Sequence, residues 1–149
     1  MSIATIIEGH PAPLSVAPDN TIQNAAEIMS EHRIGFLLVL NEDGSLFGVI
    51  SERDIVHDVA VGGGDYAKRP VSGIATTAVK TCLPTDDPHD IFERMTAGKF
   101  RHMPVAEAGA IIGVISMSDL LRHFEQESTP AARAKAFQAF FSGDAIPGG

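Results

Sequence analysis

The sequence predicts an α/β fold made of two copies of one β-α-β-β-α unit, and three observations carry that prediction. Gly48-Val49-Ile50-Ser51-Glu52-Arg53-Asp54 recurs 65 residues later as Gly113-Val114-Ile115-Ser116-Met117-Ser118-Asp119. Each string closes a pair of apolar runs joined by turn residues. Each pair is preceded by an amphipathic stretch that begins just after a proline turn. Self-similarity at a fixed period is the signature of a duplicated supersecondary unit.

The copies align over nearly the whole chain. Val39 matches Val105, Met29 matches Met95, and Pro18-Asp19 matches Pro84-Thr85, all at an offset of 66, so one residue is lost in the intervening turn. The division this predicts is a first repeat over 1–60, a flexible connector over 61–70 and a second repeat over 71–126. A C-terminal helical extension and tail then run over 127–149.

Each repeat opens with a short extended segment, near Leu14–Val16 and near Val79–Leu83. A helix follows. Thr21 is a fitting N-cap in the first copy, with Ile22, Ala25, Ala26 and Met29 on one face at helical spacing. In the second copy Asp86 or Asp87 caps, and Ile91, Phe92 and Met95 form the buried stripe. Two strands come next: Phe36–Leu40 and Leu46–Ile50 around Asn41-Glu42-Asp43-Gly44, then Met103–Ala106 and Ala110–Ile115 around Glu107-Ala108-Gly109. Arg33 and Lys99 align as cations at strand starts. A closing helix begins near Glu52 and near Met117.

The strands are almost continuously apolar rather than alternating, which predicts cover on both faces. One unit is too small to provide that cover, so the two sheets are expected to pack together about a pseudo-two-fold axis with helices outside, leaving two clefts at the junction. Val71–Ala75 resembles Ile3–Ile7, so a similar segment precedes each copy. Beyond His123, Thr129–Phe141 reads as a helix with Pro130 at its first position and Phe137, Phe140 and Phe141 along it.

Composition narrows the function. Apolar residues make up 44% and charged residues 20%, which suits a packed domain and not a disordered one. A net charge of −8 argues against nucleic acid as the main partner, because a phosphate backbone needs a basic face. One cysteine, Cys82, fits a reducing compartment. No stretch reaches the ~18–20 apolar residues of a membrane span, and the N-terminus lacks an export signal, so the expected setting is cytoplasmic and off the membrane. His10, His32, His57, His89, His102 and His123 show no metal-ligand spacing. Gly62-Gly63-Gly64 lacks both the GxGxxG spacing and a Walker lysine. No nucleophile–base pair or acid–base carboxylate pair stands out, so no enzyme is expected.

The remaining candidates cluster at the repeated strings. Gly-x-x-Ser-x-x-Asp after the second strand of both copies, with Arg101-His102-Met103-Pro104-Val105 in the second, resembles the cystathionine-β-synthase-type (CBS) domain. The tandem arrangement resembles a CBS pair, or Bateman module, over roughly residues 1–125. The resemblance implies a regulatory module without catalysis that binds AMP, ADP, ATP, NAD(H) or S-adenosylmethionine. It implies a homodimer formed through helices and a regulated partner whose identity the sequence does not give.

Carried over, Ser51 and Asp54 serve the ribose of one site and Ser116 and Asp119 that of the other. A carboxylate at a strand-to-helix junction can accept bonds from both ribose hydroxyls, while helix N–H groups favour a phosphate. Arg53 is the cation of the first string; Met117 and Ser118 replace Glu52 and Arg53 in the second. Arg101, His102, Met103 and Pro104 border the second nucleotide site, and Gly35 and Phe36 hold the corresponding place in the first copy. A plainer reading stands beside this one: Ser-x-x-Asp is also a good helix start, with the serine capping and the aspartate opposing the helix dipole. That reading leaves a ligand-free dimerisation or protein-interaction module.

Overall fold

The computed structural model describes residues 1–63, 65–127, 131, 134, 135, 137 and 138, and shows a mixed α/β chain with two sheets and five α-helices among them. In order, these are α1 (Ile3–Ile7), β1 (Ser15–Val16), α2 (Ile22–His32), β2 (Phe36–Leu40), β3 (Leu46–Ser51), α3 (Glu52–Gly62), a 3-10 turn (Val71–Gly73), α4 (Pro88–Gly98), β4 (His102–Glu107), β5 (Ala110–Ser116) and α5 (Met117–Gln126). The chain forms two compact units that do not follow chain order. One gathers the described residues of 12–79, with 109–111; the other gathers 1–11, 80–108 and the described residues from Ile112 onward.

In the unit built on residues 12–79, β1 runs parallel and β3 antiparallel to β2, with Phe36 opposite Ser51 and Leu38 opposite Val49. Its core is Val16, Ala25, Met29, Leu37, Val39, Ile50 and Val71; α2 buries Ile22, Ala25 and Met29 of the stripe that periodicity predicts, while Ala26 stays partly exposed on the groove side. The first turn of α2 is fully satisfied. Thr21 Oγ1 accepts from the Asn24 N–H at 3.0 Å, and Asn24 Oδ1 accepts from the Thr21 N–H at 3.0 Å. The N–H groups of Ile22 and Gln23 donate to the carbonyls of Arg69 (3.0 Å) and Tyr66 (3.1 Å). Four helix-start donors otherwise lack partners; here the segment after the glycines supplies two of them. That segment is held in turn by Arg69, whose guanidinium forms a two-pronged ion pair with buried Asp58 of α3, one prong being 2.7 Å from Arg69 Nη1 to Asp58 Oδ1. The connector is therefore anchored at 66–69.

The other unit has β4 beside β5, with Cys82 bridging parallel to Val105. The extended segment expected over Val79–Leu83 is reduced to that single bridge. Its core comprises Ile3, Cys82, Ile91, Phe92, Met95, Met103, Val105, Ile115, Met117, Leu120 and Phe124. Asp87 is the cap of α4, accepting from the His89 N–H at 2.7 Å, with Pro88 in the first turn; Asp86 instead accepts from the Leu83 N–H at 2.8 Å and steadies the preceding turn.

The two short helical segments do matching work. In α1 the N–H groups of Ile3 and Ala4 donate to the carbonyls of Asp86 (3.0 Å) and Pro84 (2.8 Å). In the 3-10 turn those of Val71 and Ser72 donate to Asn20 (2.7 Å) and Pro18 (3.0 Å). Each segment thus caps the proline turn of the repeat it does not precede, and each pairing lies within one of the two units. Arg33 and Lys99, read from sequence as strand-start cations, are the left-handed C-caps of α2 and α4, at φ 54° and 58°. The helix must reverse there to enter the strand, and the αL geometry does it despite the cost to a non-glycine residue.

In the C-terminal extension, Ala131, Ala134, Lys135, Phe137 and Gln138 are helical, and Lys135 Nζ lies 2.9 Å from Glu93 Oε1 of α4. Pro130, Phe140 and Phe141 lie outside the described residues.

The repeated glycine of each string marks a close approach. A Cβ on Gly48 would fall on the Thr76 carbonyl oxygen, part of the Val49–Thr76 bridge, whereas a Cβ on Gly113 would meet only the tip of Ile7, at 3.0 Å. Backbone cannot yield as a side-chain tip can. Gly48→Ala should therefore cost about 1–3 kcal/mol and Gly113→Ala less than about 1 kcal/mol, read as the shift of the urea midpoint at constant m.

Candidate functional site

The repeated strings form two corners, each where a strand turns into a helix without an intervening loop. At the first, Ser51 Oγ accepts from the Asp54 N–H at 3.2 Å and Asp54 Oδ2 accepts from the Ser51 N–H at 2.9 Å. At the second, Ser116 Oγ accepts from the Asp119 N–H at 3.1 Å and Asp119 Oδ2 from the Ser116 N–H at 2.9 Å. Both are capping boxes. The capping reading thus holds at both corners, and each box uses one oxygen of its carboxylate. Oδ1 of Asp54 and of Asp119 stays outside the box, on residues that remain partly open to solvent.

A second backbone bond closes each corner. The Glu52 N–H donates to the Gly35 carbonyl at 2.9 Å, and the Met117 N–H donates to the Arg101 carbonyl at 2.8 Å. Gly35 and Arg101 are therefore brought beside their strings, as the sequence repeat implies. Glu52 folds over Gly35 so closely that a Cβ there would lie 2.9 Å from its carboxyl carbon. Arg53 lies on the exposed side of the first turn of α3. Phe36 opens β2 opposite Ser51.

At the second corner, Asp119 Oδ1 faces two basic side chains. His10 Nε2 stands 3.9 Å away and Arg122 Nη1 3.6 Å away, with the Asp119 side chain only 15% exposed. Neither residue was singled out from sequence. Arg122 follows by helical spacing once Asp119 is placed; His10 comes from the segment before the first repeat and carries no local signal. The Nε of Arg101 is buried without a hydrogen-bond partner among the described residues. His102 is partly buried beside it, and burial, reinforced by the Arg101 charge and partly offset by Asp119, pushes its pKa down to about 4. Met103 and Pro104 do not line an open surface: Met103 is wholly buried in the core, and Pro104 is buried with its carbonyl accepting from the Cys82 N–H at 3.0 Å. Their side chains pack rather than present a wall.

Cys82 is buried, and its thiol pKa is raised to about 11 by burial and then by Asp86, so at neutral pH it is an unreactive thiol. Among the described residues no group of three or more His, Cys, Asp or Glu side chains could hold a metal ion, and no helix is long and apolar enough to cross a membrane. A groove of about 540 Å³ runs between α2 and α3, floored by Ala26, Met29, Ile34, Ile55 and Val56 and reaching Gly35 and Glu52.

Two outcomes follow from these contacts. Ser51→Ala and Ser116→Ala should each cost about 1 kcal/mol of stability, measured by chemical denaturation. His102 is neutral in the fold down to about pH 4 but takes a proton near 6.5 when unfolded. Between those values the unfolded chain binds more protons, so this contribution is complete above pH 6.5 and is lost as pH falls towards 4. In His102→Gln the slope of stability against pH should flatten within that window and nowhere else.

Similarity to known proteins agrees with the repeat. The CBS domain family matches residues 7–60 and again 71–126. CBS domain-containing protein YhcV of Bacillus subtilis is 29% identical over 119 residues, covering 79% of this chain and 84% of that protein. The crystal structure of a CBS-domain containing protein from Agrobacterium tumefaciens is 33% identical with a TM-score of 0.76, covering 81% of this chain and 91% of that one. A CBS domain protein from Pyrobaculum aerophilum, solved in complex with AMP, is 26% identical with a TM-score of 0.75, covering 93% and 99%. The duplicated unit, the two capped corners and these matches agree: the chain belongs to the CBS-domain family and carries a tandem pair of the domain.

Proposed function

We propose that the chain is a non-catalytic, cytoplasmic sensor whose corners hold the ribose of an adenosine nucleotide and whose ligand state is read by a partner protein. The observation that carries this reading is the Oδ1 that each capping box leaves over, which at Asp119 meets His10 at 3.9 Å and Arg122 at 3.6 Å without a hydrogen bond from either. After the capping box is satisfied, each aspartate still offers an acceptor beside a helix start, the chemistry that suits a sugar diol next to a phosphate. The Pyrobaculum relative bound to AMP supports an adenine nucleotide as the ligand class. A homodimer formed through helices is supported by the apolar groove between α2 and α3 and by Val56 and Val59 of α3, which are 67% and 45% exposed.

The capping boxes themselves favour a second reading. Ser51, Asp54, Ser116 and Asp119 already have a structural task, so the strings would persist in a ligand-free dimerisation module.

Melting curves with AMP, ADP, ATP, NAD(H) and S-adenosylmethionine separate the two. A ligand at ~100 times its Kd adds about 2.7 kcal/mol, a rise of roughly 5–10 °C in Tm for a chain of this length. Asp54→Asn and Asp119→Asn keep an acceptor for the capping box while removing the charge, so loss of the ligand shift in one of them, with the unliganded Tm retained, locates the site. A flat response to the whole panel assigns the ligand-free module instead.

A further inference from the structure

We infer that copies of this chain meet through the α2–α3 face alone, in an isologous contact, because the corresponding α4–α5 face is closed by residues of its own chain. This rests on the homodimer reading above and adds to it which face is shared and in what orientation.

The sequence repeat supplies an internal control. At the offsets of 66 and 65, Ala26, Val56 and Val59 stand where the second copy has Phe92, Leu121 and Phe124. Val59 is 45% exposed, whereas Phe124 is 2% exposed. The fold therefore does not require this face to be open; its smaller residues leave it so. The result is the groove of about 540 Å³, lined by Ala26 and Ser30 from α2 and by Ile55 and Val56 from α3.

On α4 and α5 the corresponding positions are packed. The Phe124 ring stacks on His89 with centroids 4.5 Å apart and meets Phe92 edge-on at 5.4 Å. Glu127 ties the two helices together, with Oε1 3.1 Å from His123 Nε2 of α5 and Oε2 3.4 Å from His89 Nε2 of α4. Lys135 of the C-terminal extension adds its contact with Glu93 of α4. The first copy has Gln23 and Asp58 at the places of His89 and His123, and Asp58 is engaged by Arg69 instead.

What fits the open face is the same face of a second copy. An isologous contact needs a surface complementary to itself, and this one carries both halves. Small Ala26 and Ser30 flank the groove, and Val56 and Val59 project from α3. Its rim also bears one charge of each sign, Arg33 from α2 and Glu52 from α3, both exposed. A two-fold axis that lays α3 of one copy on α2 of the other offers the valines to the small residues. It also offers each rim charge an opposite one, twice. A purely apolar partner segment would leave both charges unmatched.

Sedimentation velocity and cysteine cross-linking test this on the full chain. Val56 is exposed, so Val56→Glu should keep the wild-type Tm while raising the dimer Kd at least about a hundredfold, because it puts an unpaired charge into the contact. Arg33→Glu and Glu52→Arg should each raise that Kd about tenfold, and the two together should bring it back near the wild-type value. With a bis-maleimide, Val56→Cys should form a covalent dimer. Ala97→Cys, exposed on α4 one turn beyond Glu93, should not; buried Cys82 stays silent in both. A dimer that survives Val56→Glu would overturn the inference and leave the homodimer reading standing. So would cross-linking through Ala97→Cys, alone or mixed with Val56→Cys, or a charge swap that fails to restore affinity. A wild-type chain that sediments as a monomer removes the homodimer reading and this inference together, while the nucleotide reading stands.

Discussion

A serine hydroxyl and a carboxylate three residues on, each satisfying the other's backbone N–H, turn a strand into a helix at Ser51 and again at Ser116. That exchange supplies acceptors for two of the N–H donors that a helix start leaves unpaired. It lets β3 and β5 pass into α3 and α5 with no intervening residue. Because no loop intervenes, the next N–H, of Glu52 or Met117, reaches back to the carbonyl of Gly35 or Arg101. The corner is therefore fixed on both sides, and whatever those residues carry is held beside the one carboxylate oxygen that the capping box does not use. Capping and ligand binding need not compete, because the box takes Oδ2 and leaves Oδ1.

The short segments ahead of each repeat impose a second constraint. Alone, a single turn such as Ile3–Ile7 is far below the length at which helices persist in water. It exists because its first N–H groups find the carbonyls of Pro84 and Asp86 and its Ile3 enters a core made by the other repeat. Val71–Gly73 does the same with Pro18, Asn20 and the core around Ile50. A half of the chain cut at the repeat boundary loses the segment that completes its core. The repeat in sequence is therefore not the unit of packing.

Local rules were readable from sequence and long-range ones were not. Thr21, Asp87, Ser51 and Ser116 could be named as caps because each needs only neighbours within three residues. The strand pair around Asn41–Gly44 and the buried stripe of α2 follow from periods of 2 and 3.6. Arg33 and Lys99 misled because left-handed helix ends usually announce themselves with glycine or asparagine, and neither stands there. The Asp58–Arg69 pair and the approach of His10 to Asp119 had no local signature. Met103 and Pro104 lie in the strand that the motif locates, and the motif does not say that their side chains are buried there.

Duplication offers a way to separate the residues that maintain a fold from those free to specialise. Positions kept identical between the copies, the glycine, serine and aspartate of each string, have direct structural tasks: close backbone approach and the two halves of a capping box. Positions that differ in charge, Gly35 against Arg101 and Glu52 against Met117, touch the same carboxylate-bearing corner but bond through backbone atoms alone. Their side chains can change without loosening the corner. Divergence at these positions changes the charge carried beside the carboxylate while the backbone bond that closes each corner is kept.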